Sequence, residues 1–415
     1  MQNNPRSLTA YQVRLLAILA LVNFVNFADR LLVPPLVGQL RDHFNLTSVQ
    51  LSWLQVVLQI VLATGSIPFG LMADRVNRAR LIAAGIIFWS LATFLTGMAS
   101  TFAMLLVARA LVGTGEAVYA PAAQSMISGA FPEATRARAQ AVFAAGMLAG
   151  ATAGLALGEM LGEKFGWRPA FFLVGVPGLL LAFFVFKLKE PPRGPSSEIV
   201  PIGQLLRVPA YDALIASGVL ITFTSVALVF WGNDFIKEWK GFTPKEAGIS
   251  LGITVLLASL LGVLTGGYVA DWLQKRYHYG RILTVACAFL TAAPFLLWAL
   301  WTEEKSQVVV ALFIGAFFMA WYHGPVTAVI HDLMPRRAHA RSVGVYMFVT
   351  QLLGGMFGPL VVGKIDDVST LPIGLQVAVG VLVAGALCMF LVIYFIRRDG
   401  LHHPSLAAFH AEAHD

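Results

Sequence analysis

Long apolar segments constrain this chain more than any other feature of its sequence. A spanning helix needs about 20 mostly apolar residues, and twelve stretches meet that requirement. Strong hydropathy in single segments favours helices over a barrel, whose strands alternate and give a weaker signal. The predicted spans are 11–37, 49–73, 81–99, 101–129, 137–162, 168–188, 208–236, 246–272, 281–301, 306–334, 341–363 and 371–396. Only 12% of the 415 residues are charged, against about 25% in soluble domains, so we predict an all-α integral membrane protein.

The basic residues are distributed as membrane topology requires. If both termini are cytoplasmic, the predicted inner loops and ends hold nineteen Lys and Arg and the outer loops hold eight. Arg30 and Arg109, the other two of the 29, lie inside predicted spans. This asymmetry is the positive-inside pattern. The net charge of +7 therefore reflects topology, and we expect no nucleic-acid partner.

The two halves of the chain repeat each other at an offset of about 200 residues. The run 70–74 (GLMAD) after the second span matches the run 267–271 (GYVAD) after the eighth. Two six-helix parallel repeats joined by a Pro-rich linker are the arrangement of major facilitator transporters. The predicted division is an N-terminal tail 1–10, a six-helix bundle 11–188, a cytoplasmic linker 189–207, a second six-helix bundle 208–396 and a C-terminal tail 397–415.

The loop after the second span resembles the signature loop of the facilitator family. It reads Gly70-x-x-x-Asp74-Arg75-x-x-Arg78, and Asp271 is the counterpart of Asp74 in the second half. We interpret these five residues as a gating loop that latches one conformation. The alternative is a solvated basic loop that only fixes topology.

The fifth span carries a glycine at every fourth position, which places all of them on one helix face. A glycine face lets a neighbouring helix approach closely. We expect this stripe to form the seam on which the two halves move. Its members are Gly146, Gly150, Gly154, Gly158 and Gly162.

Charged residues inside the spans are the strongest functional signal. A charge at the bilayer centre costs roughly 2.5–3.5 kcal/mol even on insertion scales, so Asp29 and Arg30 should face protein or a water-filled cavity. At 1.5 Å per residue, Asp29 and Arg109 both lie about 12 Å from the outer end of their helices, and Glu116 about 22 Å. We therefore predict that Arg109 pairs with Asp29 and that Arg30 pairs with Glu116, with Asn26 beside them.

The predicted charged set leaves two alternatives open. If a pairing breaks as a cavity opens, the freed carboxylate can take up a proton, which is one route to proton coupling. A static ion-pair network that only registers the helices is the other interpretation.

The second half lacks these charges and carries aromatic residues instead. We predict that they form the apolar wall of a cavity, the alternative being ordinary core or lipid-facing packing. A cavity with one charged and one apolar wall suits an amphiphile better than a sugar. The predicted wall residues are Phe223, Phe230, Trp231, Phe318, Trp321, Tyr322 and His323.

Two sequence elements resemble the Spinster-like lysolipid and sphingolipid transporters, a branch of the major facilitator superfamily. Residues 26–30 (NFADR) resemble that group's Asn-Tyr-x-Asp-Arg, with Phe27 in place of tyrosine, and residues 113–117 (GTGEA) resemble its Gly-x-Gly-Glu-Ala. The resemblance covers 20–395. It implies alternating-access transport of a lysophospholipid or a sphingosine-phosphate-like lipid, with Asp29, Arg30 and Glu116 as the functional cluster.

A proton-coupled transporter of a small organic anion or drug is the alternative, because organic-anion symporters of the superfamily share the Asp-Arg first helix. No nucleotide loop, metal-ligand cluster or nucleophile–base spacing is visible, so we expect no enzymatic activity, cofactor or metal. The expected partners are a small amphiphilic or anionic substrate, protons and membrane lipids. We expect a monomer in a prokaryotic plasma (inner) membrane.

Overall fold

The computed structural model describes residues 9–73, 75–191, 201–335 and 338–399. Within these ranges the structure is helical, and 12 helical spans are long and apolar enough to cross a membrane. The predicted all-α membrane architecture is confirmed. Asp74, most of both predicted tails and the middle of the predicted linker lie outside the described residues.

The chain divides into two compact units. Unit 1 comprises Met1–Leu46, Trp53–Pro195 and Thr243–Gly252, and unit 2 comprises Thr47–Ser52, Ser196–Phe242 and Ile253–Asp415. The first helices in chain order are α1 (Ala10–Arg30), α2 (Val33–Phe44), α3 (Ser48–Ala73), α4 (Arg78–Gly97), α5 (Phe102–Ala130), α6 (Glu133–Phe165) and α7 (Trp167–Phe186).

The remaining helices begin with the short α8 (Ile202–Leu205). They continue with α9 (Pro209–Lys240), α10 (Pro244–Gln274), α11 (Gly280–Trp301), α12 (Lys305–Met319), α13 (His323–Leu333), α14 (His339–Val349), α15 (Met356–Val368) and α16 (Leu371–Asp399). A 3₁₀ turn at Ala320–Tyr322 joins α12 to α13, and a π-helical segment at Thr350–Gly355 joins α14 to α15.

Equivalent helices pack in the same pairs in both units. In unit 1, α1 packs on α6, and α4 packs on α5 and α7. In unit 2, α9 packs on the π segment and α15, and α11 packs on α12 and α16. These pairings are those that an internal parallel repeat requires, since α9 and α11 occupy the positions of α1 and α4.

The break between α1 and α2 places two charges at the end of a helix. Pro34 and Pro35 have no backbone N–H, so the helix cannot continue its hydrogen bonds to residues 30 and 31. The α1 helix therefore ends at Arg30, immediately after Asp29. A cation in the last turn is favoured by the partial negative charge of the helix C-terminus.

The glycine stripe of α6 packs α6 against α1 within unit 1. A Cβ on Gly154 would lie 2.5 Å from the carbonyl oxygen of Ala28, and one on Gly150 would clash with the carbonyl oxygen of Phe24. The expected role as a seam between the halves is therefore wrong for this face. The four-residue spacing of the glycines predicts a helix face that another helix can approach closely, but it does not predict which helix packs there.

Prolines explain one irregular segment of unit 2 and bound the other. Pro325 cannot donate to the carbonyl of Trp321, and its ring crowds that carbonyl, so the helix tightens into the 3₁₀ turn. Pro359 likewise leaves the carbonyl of Gly355 without its helical donor, and the π segment ends at that residue. Such segments inside long helices often mark hinges or functional sites.

Candidate functional site

Three helices of unit 1 bring the predicted charged residues together. Asp29 and Arg30 end α1, while Arg109 and Glu116 lie seven residues apart on α5 and therefore share a face. The α4 helix packs on α5 and carries the side chains that complete the site. We call Asp29, Arg30, Arg109 and Glu116 the charged cluster.

Arg30 and Glu116 form a direct ion pair. The Arg30 Nε donates to Glu116 Oε2 at 2.6 Å. The Glu116 side chain is 0% exposed, whereas the Arg30 side chain is 23% exposed. The Arg30 guanidinium also lies 4.9 Å from the centroid of the Phe27 ring. Arg30 is therefore the partly exposed member of the pair, and Glu116 is the buried one.

Asp29 is buried and bonds to a hydroxyl that the sequence did not point to. The Thr93 Oγ1 lies 2.6 Å from Asp29 Oδ2, and Thr93 is itself 1% exposed. The second oxygen, Oδ1, has no hydrogen-bond partner among the described residues. Thr93 could have been suspected only as a polar residue in an otherwise apolar span.

Arg109 is buried between the two carboxylates. It interacts electrostatically with both Asp29 and Glu116. None of its three guanidinium nitrogens has a hydrogen-bond partner among the described residues. The structure thus brings Arg109 near Asp29, but without the hydrogen-bonded ion pair that depth along the helices predicts.

Two further side chains hold α1 in register with its neighbours. The Asn23 Nδ2 donates to the carbonyl of Phe143 on α6 at 2.9 Å, and the Tyr119 hydroxyl on α5 donates to the carbonyl of Leu19 at 2.6 Å. Asn26 is 1% exposed, and its Nδ2 has no partner within the described ranges. Asn26 therefore contributes an unused donor beside the cluster.

The predicted aromatic wall separates into different environments. Phe230 and Trp231 are 1% and 0% exposed, and the Trp231 Nε1 donates to the carbonyl of Pro359 at 3.1 Å. Both side chains are packed inside unit 2. Phe318 and Trp321 are partly exposed, with ring centroids 5.3 Å apart.

Other members of the predicted wall lie near the irregular segments. The Tyr322 hydroxyl on the 3₁₀ turn bonds to the Tyr346 hydroxyl on α14, and the Tyr322 ring is 5.8 Å from that of Phe289. Phe223 is partly buried, and its backbone lies against Gly358. The side chain of His323 lies outside the described part of the structure.

The predicted gating residues also differ in environment. Gly70 lies near the end of α3, and Arg75 is exposed in the turn that follows. Arg78 is 3% exposed and donates to Glu190 at 3.0 Å, to the Ser125 hydroxyl at 2.7 Å and to the carbonyl of Pro191 at 2.6 Å. These bonds hold the segment that follows α7, at residues 190–191, against α4 and α5.

In unit 2, Asp271 belongs to an exposed ionic network. The Arg281 Nη2 is 2.9 Å from Asp271, and its Nη1 is 2.6 Å from Asp332 at the end of α13. The guanidinium therefore links the end of α10 to α11 and α13.

Comparison with known proteins identifies the family. The family model of the Major Facilitator Superfamily matches residues 19–359. The chain belongs to the Major Facilitator Superfamily. Proteins of this superfamily are transporters rather than enzymes, and they work by alternating access around a central site.

Within the superfamily, the similar proteins include Spinster proteins. "Protein spinster" of Drosophila melanogaster is 27% identical over 377 residues, covering 84% of this chain and 61% of that protein. A "MFS-type efflux pump" of Mycolicibacterium smegmatis is 27% identical over 398 residues and covers 92% of both. A solved bacterial homolog of the human lysosomal transporter Spinster, inward-facing and unoccupied, has a TM-score of 0.85, 22% identity and coverage of 95% of this chain and 99% of that one. The chain is therefore similar to Spinster proteins in sequence and to a bacterial Spinster homolog in fold.

Proposed function

We propose that this facilitator moves an amphiphilic anionic lipid, such as a lysophospholipid or a sphingosine-phosphate-like molecule, together with protons. The Arg30–Glu116 pair carries the proposal, because a partly exposed cation is held there by a buried acid. Arginine binds phosphate and carboxylate groups through charge-assisted hydrogen bonds. The anionic head of a substrate can therefore compete with Glu116 for Arg30.

This competition provides a route to proton coupling. If the substrate takes Arg30, Glu116 loses the hydrogen bond at 2.6 Å. A buried carboxylate without a partner is costly, and taking up a proton removes that cost. Substrate binding and proton uptake at Glu116 are then linked, and release of the substrate returns Glu116 to Arg30.

The apolar part of the substrate is proposed to contact aromatic residues of unit 2. Phe318, Trp321 and Tyr322 are partly exposed, in contrast to Phe230 and Trp231. An aromatic surface favours an acyl chain through burial of apolar area. The resemblance of residues 26–30 and 113–117 to the Spinster-like lysolipid and sphingolipid transporters implies the same substrate class.

Transport of a small organic anion or drug is the second candidate. It is favoured by the similarity to a mycobacterial efflux pump along nearly the whole of both chains. Arg30 would bind the anion in the same way, and the aromatic residues would then serve in packing. The two candidates differ in whether an acyl chain contributes to affinity.

We further propose a monomer in a prokaryotic inner membrane with both termini in the cytoplasm. The excess of basic residues in the predicted inner loops supports this orientation. Membrane lipids are then its surroundings as well as the source of its substrate.

The test is uptake into proteoliposomes of a labelled lysophospholipid and, separately, of a small organic anion, with and without a pH gradient. We expect the gradient to stimulate lysophospholipid transport. Arg30→Ala should lower apparent affinity about tenfold or more, since hydrogen bonds to charged groups contribute about 1.5–3 kcal/mol. Glu116→Gln should transport without responding to the gradient.

Arg14→Ala is the matched control, because Arg14 is an exposed arginine on the same helix. It should behave as wild type. Undiminished lysophospholipid transport by Arg30→Ala would overturn the headgroup role, and transport restricted to the small anion would favour the second candidate.

A further inference from the structure

Thr93 makes two contacts with a single hydroxyl proton. Its Oγ1 lies 2.6 Å from Asp29 Oδ2 and 3.0 Å from the carbonyl oxygen of Trp89, four residues earlier on α4. A hydroxyl has one O–H donor and can also accept. Only one of the two acceptors can therefore receive the Thr93 proton at a time.

The protonation state of Asp29 decides which acceptor receives it. An ionised carboxylate only accepts, so Thr93 must donate to Asp29 and turn away from Trp89. A protonated Asp29 can donate to Thr93 Oγ1, and Thr93 is then free to donate to the Trp89 carbonyl. The same heavy-atom positions serve both states, with the hydrogen bond between Asp29 and Thr93 running in opposite directions.

This reversal requires little rearrangement elsewhere. The Trp89 carbonyl lies inside α4, where the backbone N–H of residue 93 already satisfies it in a regular helix. It therefore does not lose its only partner when the hydroxyl turns away. The Asp29 carboxylate, by contrast, has no other hydrogen-bond partner among the described residues.

The charged groups acting on Asp29 are Arg30 on its own helix and Arg109 and Glu116 on α5. These groups act through space, whereas α4 supplies the hydrogen bond. We propose that Thr93 is a positioning residue for proton coupling, which sets the proton affinity of Asp29 by reversing its hydrogen bond. This inference rests on the proposed proton coupling: Glu116 exchanges its proton with the substrate, and the protonation state of Asp29, which Thr93 sets, determines the pH range over which that exchange runs.

The direction of the expected effect follows from the two states. A hydrogen bond to an ionised carboxylate is roughly twice as strong as a neutral one. Thr93→Val removes the hydroxyl at nearly constant shape, so the ionised form of Asp29 loses more than the protonated form. The midpoint of the pH dependence of transport should therefore move to higher pH, by about half to one unit.

Two variants control for packing. Thr93→Ser keeps the hydroxyl and should restore the wild-type midpoint. Thr96→Val changes a buried threonine on the same helix, whose hydroxyl donates to the carbonyl of Ala92 at 3.0 Å and makes no hydrogen bond to an acid within the described ranges. It should leave the midpoint unchanged. A structural role for Thr93 alone would lower the amount of folded protein without shifting the midpoint.

A second measurement does not depend on transport. In difference infrared spectra of the purified protein recorded across a pH titration, the carboxylic acid band that disappears in Asp29→Asn belongs to Asp29. Thr93→Val should shift this band to higher wavenumber, because the acid loses its hydrogen bond, and should raise the pH at which the band disappears.

The proposed proton coupling and the inference about Thr93 can be contradicted by different results. If wild-type transport ignores the pH gradient, the proposed coupling is wrong, and the infrared titration still decides the role of Thr93. If the gradient stimulates wild type but Thr93→Val keeps both the transport midpoint and the infrared titration of wild type, the inference about Thr93 is overturned.

Discussion

None of the three guanidinium nitrogens of Arg109 donates a hydrogen bond to a described residue. It is 1% exposed, and its interactions with Asp29 and Glu116 are electrostatic. A buried charge is tolerated only where opposite charges compensate it. Arg109 therefore balances the two acids, while Arg30 is the partly exposed cation of the cluster.

Removing Arg109 should destabilise the protein through charge imbalance. Arg109→Met leaves two buried acids with one cation, and loss of one partner of a buried pair typically costs about 3–5 kcal/mol. The double variant Arg109→Met with Asp29→Asn restores neutrality. It should melt at a higher temperature than the single variant in a thermal unfolding assay of the purified protein.

The control is Arg14→Met, which removes an exposed arginine from α1 and should leave the melting temperature near that of wild type. A single Arg109 variant as stable as wild type would contradict the balancing role.

The contrast between Glu116 and Thr93 shows how far the sequence predicts this site. Depth along two antiparallel helices is enough to propose that Glu116 meets Arg30, since charges in spans are few and need partners. Hydroxyls carry no such signal, because many in membrane helices bond to their own backbone. Thr96 and Thr114 do so at 3.0 Å. Only the hydrogen bond to Asp29 on α1 distinguishes Thr93 from them.

Among the elements, the α6 stripe determines where α1 lies. Its glycines allow the α1 backbone to approach closely, and α1 ends in Asp29 and Arg30. The positions of Asp29 and Arg30 therefore depend on the glycines of α6, which have no side chains to hold α1 further away.

Gly150→Ala should weaken this packing. The added methyl group meets the backbone carbonyl of Phe24, which cannot move as a side chain can, and overpacking of this kind costs about 1–3 kcal/mol. We expect a lower melting temperature and weaker lysophospholipid transport. Gly232→Ala on α9 is the matched control, because a Cβ there meets nothing within 4 Å. Equal effects of the two substitutions would contradict the role of the stripe.

The membrane-spanning helices were predicted more reliably than the 3₁₀ and π-helical segments within them. Hydropathy identifies each span, because a lipid-exposed helix must be apolar over its whole length. The 3₁₀ turn at Ala320–Tyr322 and the π segment at Thr350–Gly355 were not predicted. A proline in a membrane helix is tolerated with several local geometries, so Pro325 and Pro359 indicate a disturbance without specifying it.

For the whole molecule, the two compact units do not coincide with the two halves of the sequence. The start of α3, Thr47–Ser52, belongs to unit 2, and the start of α10, Thr243–Gly252, belongs to unit 1. Within unit 2, the Asp367 carboxylate accepts from the backbone N–H of Ser48 at 2.6 Å and of Val49 at 3.1 Å. These bonds attach the first turn of α3 to the end of α15 within unit 2.

The charge balance of the cluster has a consequence for the energy source of transport. Two arginines and two acids sum to zero when all are charged. If a substrate with one negative charge replaces the Glu116 carboxylate on Arg30 and Glu116 takes up one proton, the loaded cluster also sums to zero. The exchange that we propose is therefore electroneutral.

We expect potassium diffusion potentials of either sign, imposed on proteoliposomes with valinomycin, to leave uptake of a lysophospholipid with one net negative charge unchanged at a fixed pH gradient. Glu116→Gln is neutral and exchanges no proton, so the anion should move without a compensating charge and its uptake should depend on the imposed potential. Voltage-dependent uptake by wild type would contradict the one-to-one exchange. A transporter built on such an exchange draws on the proton gradient alone, whatever the voltage across its membrane.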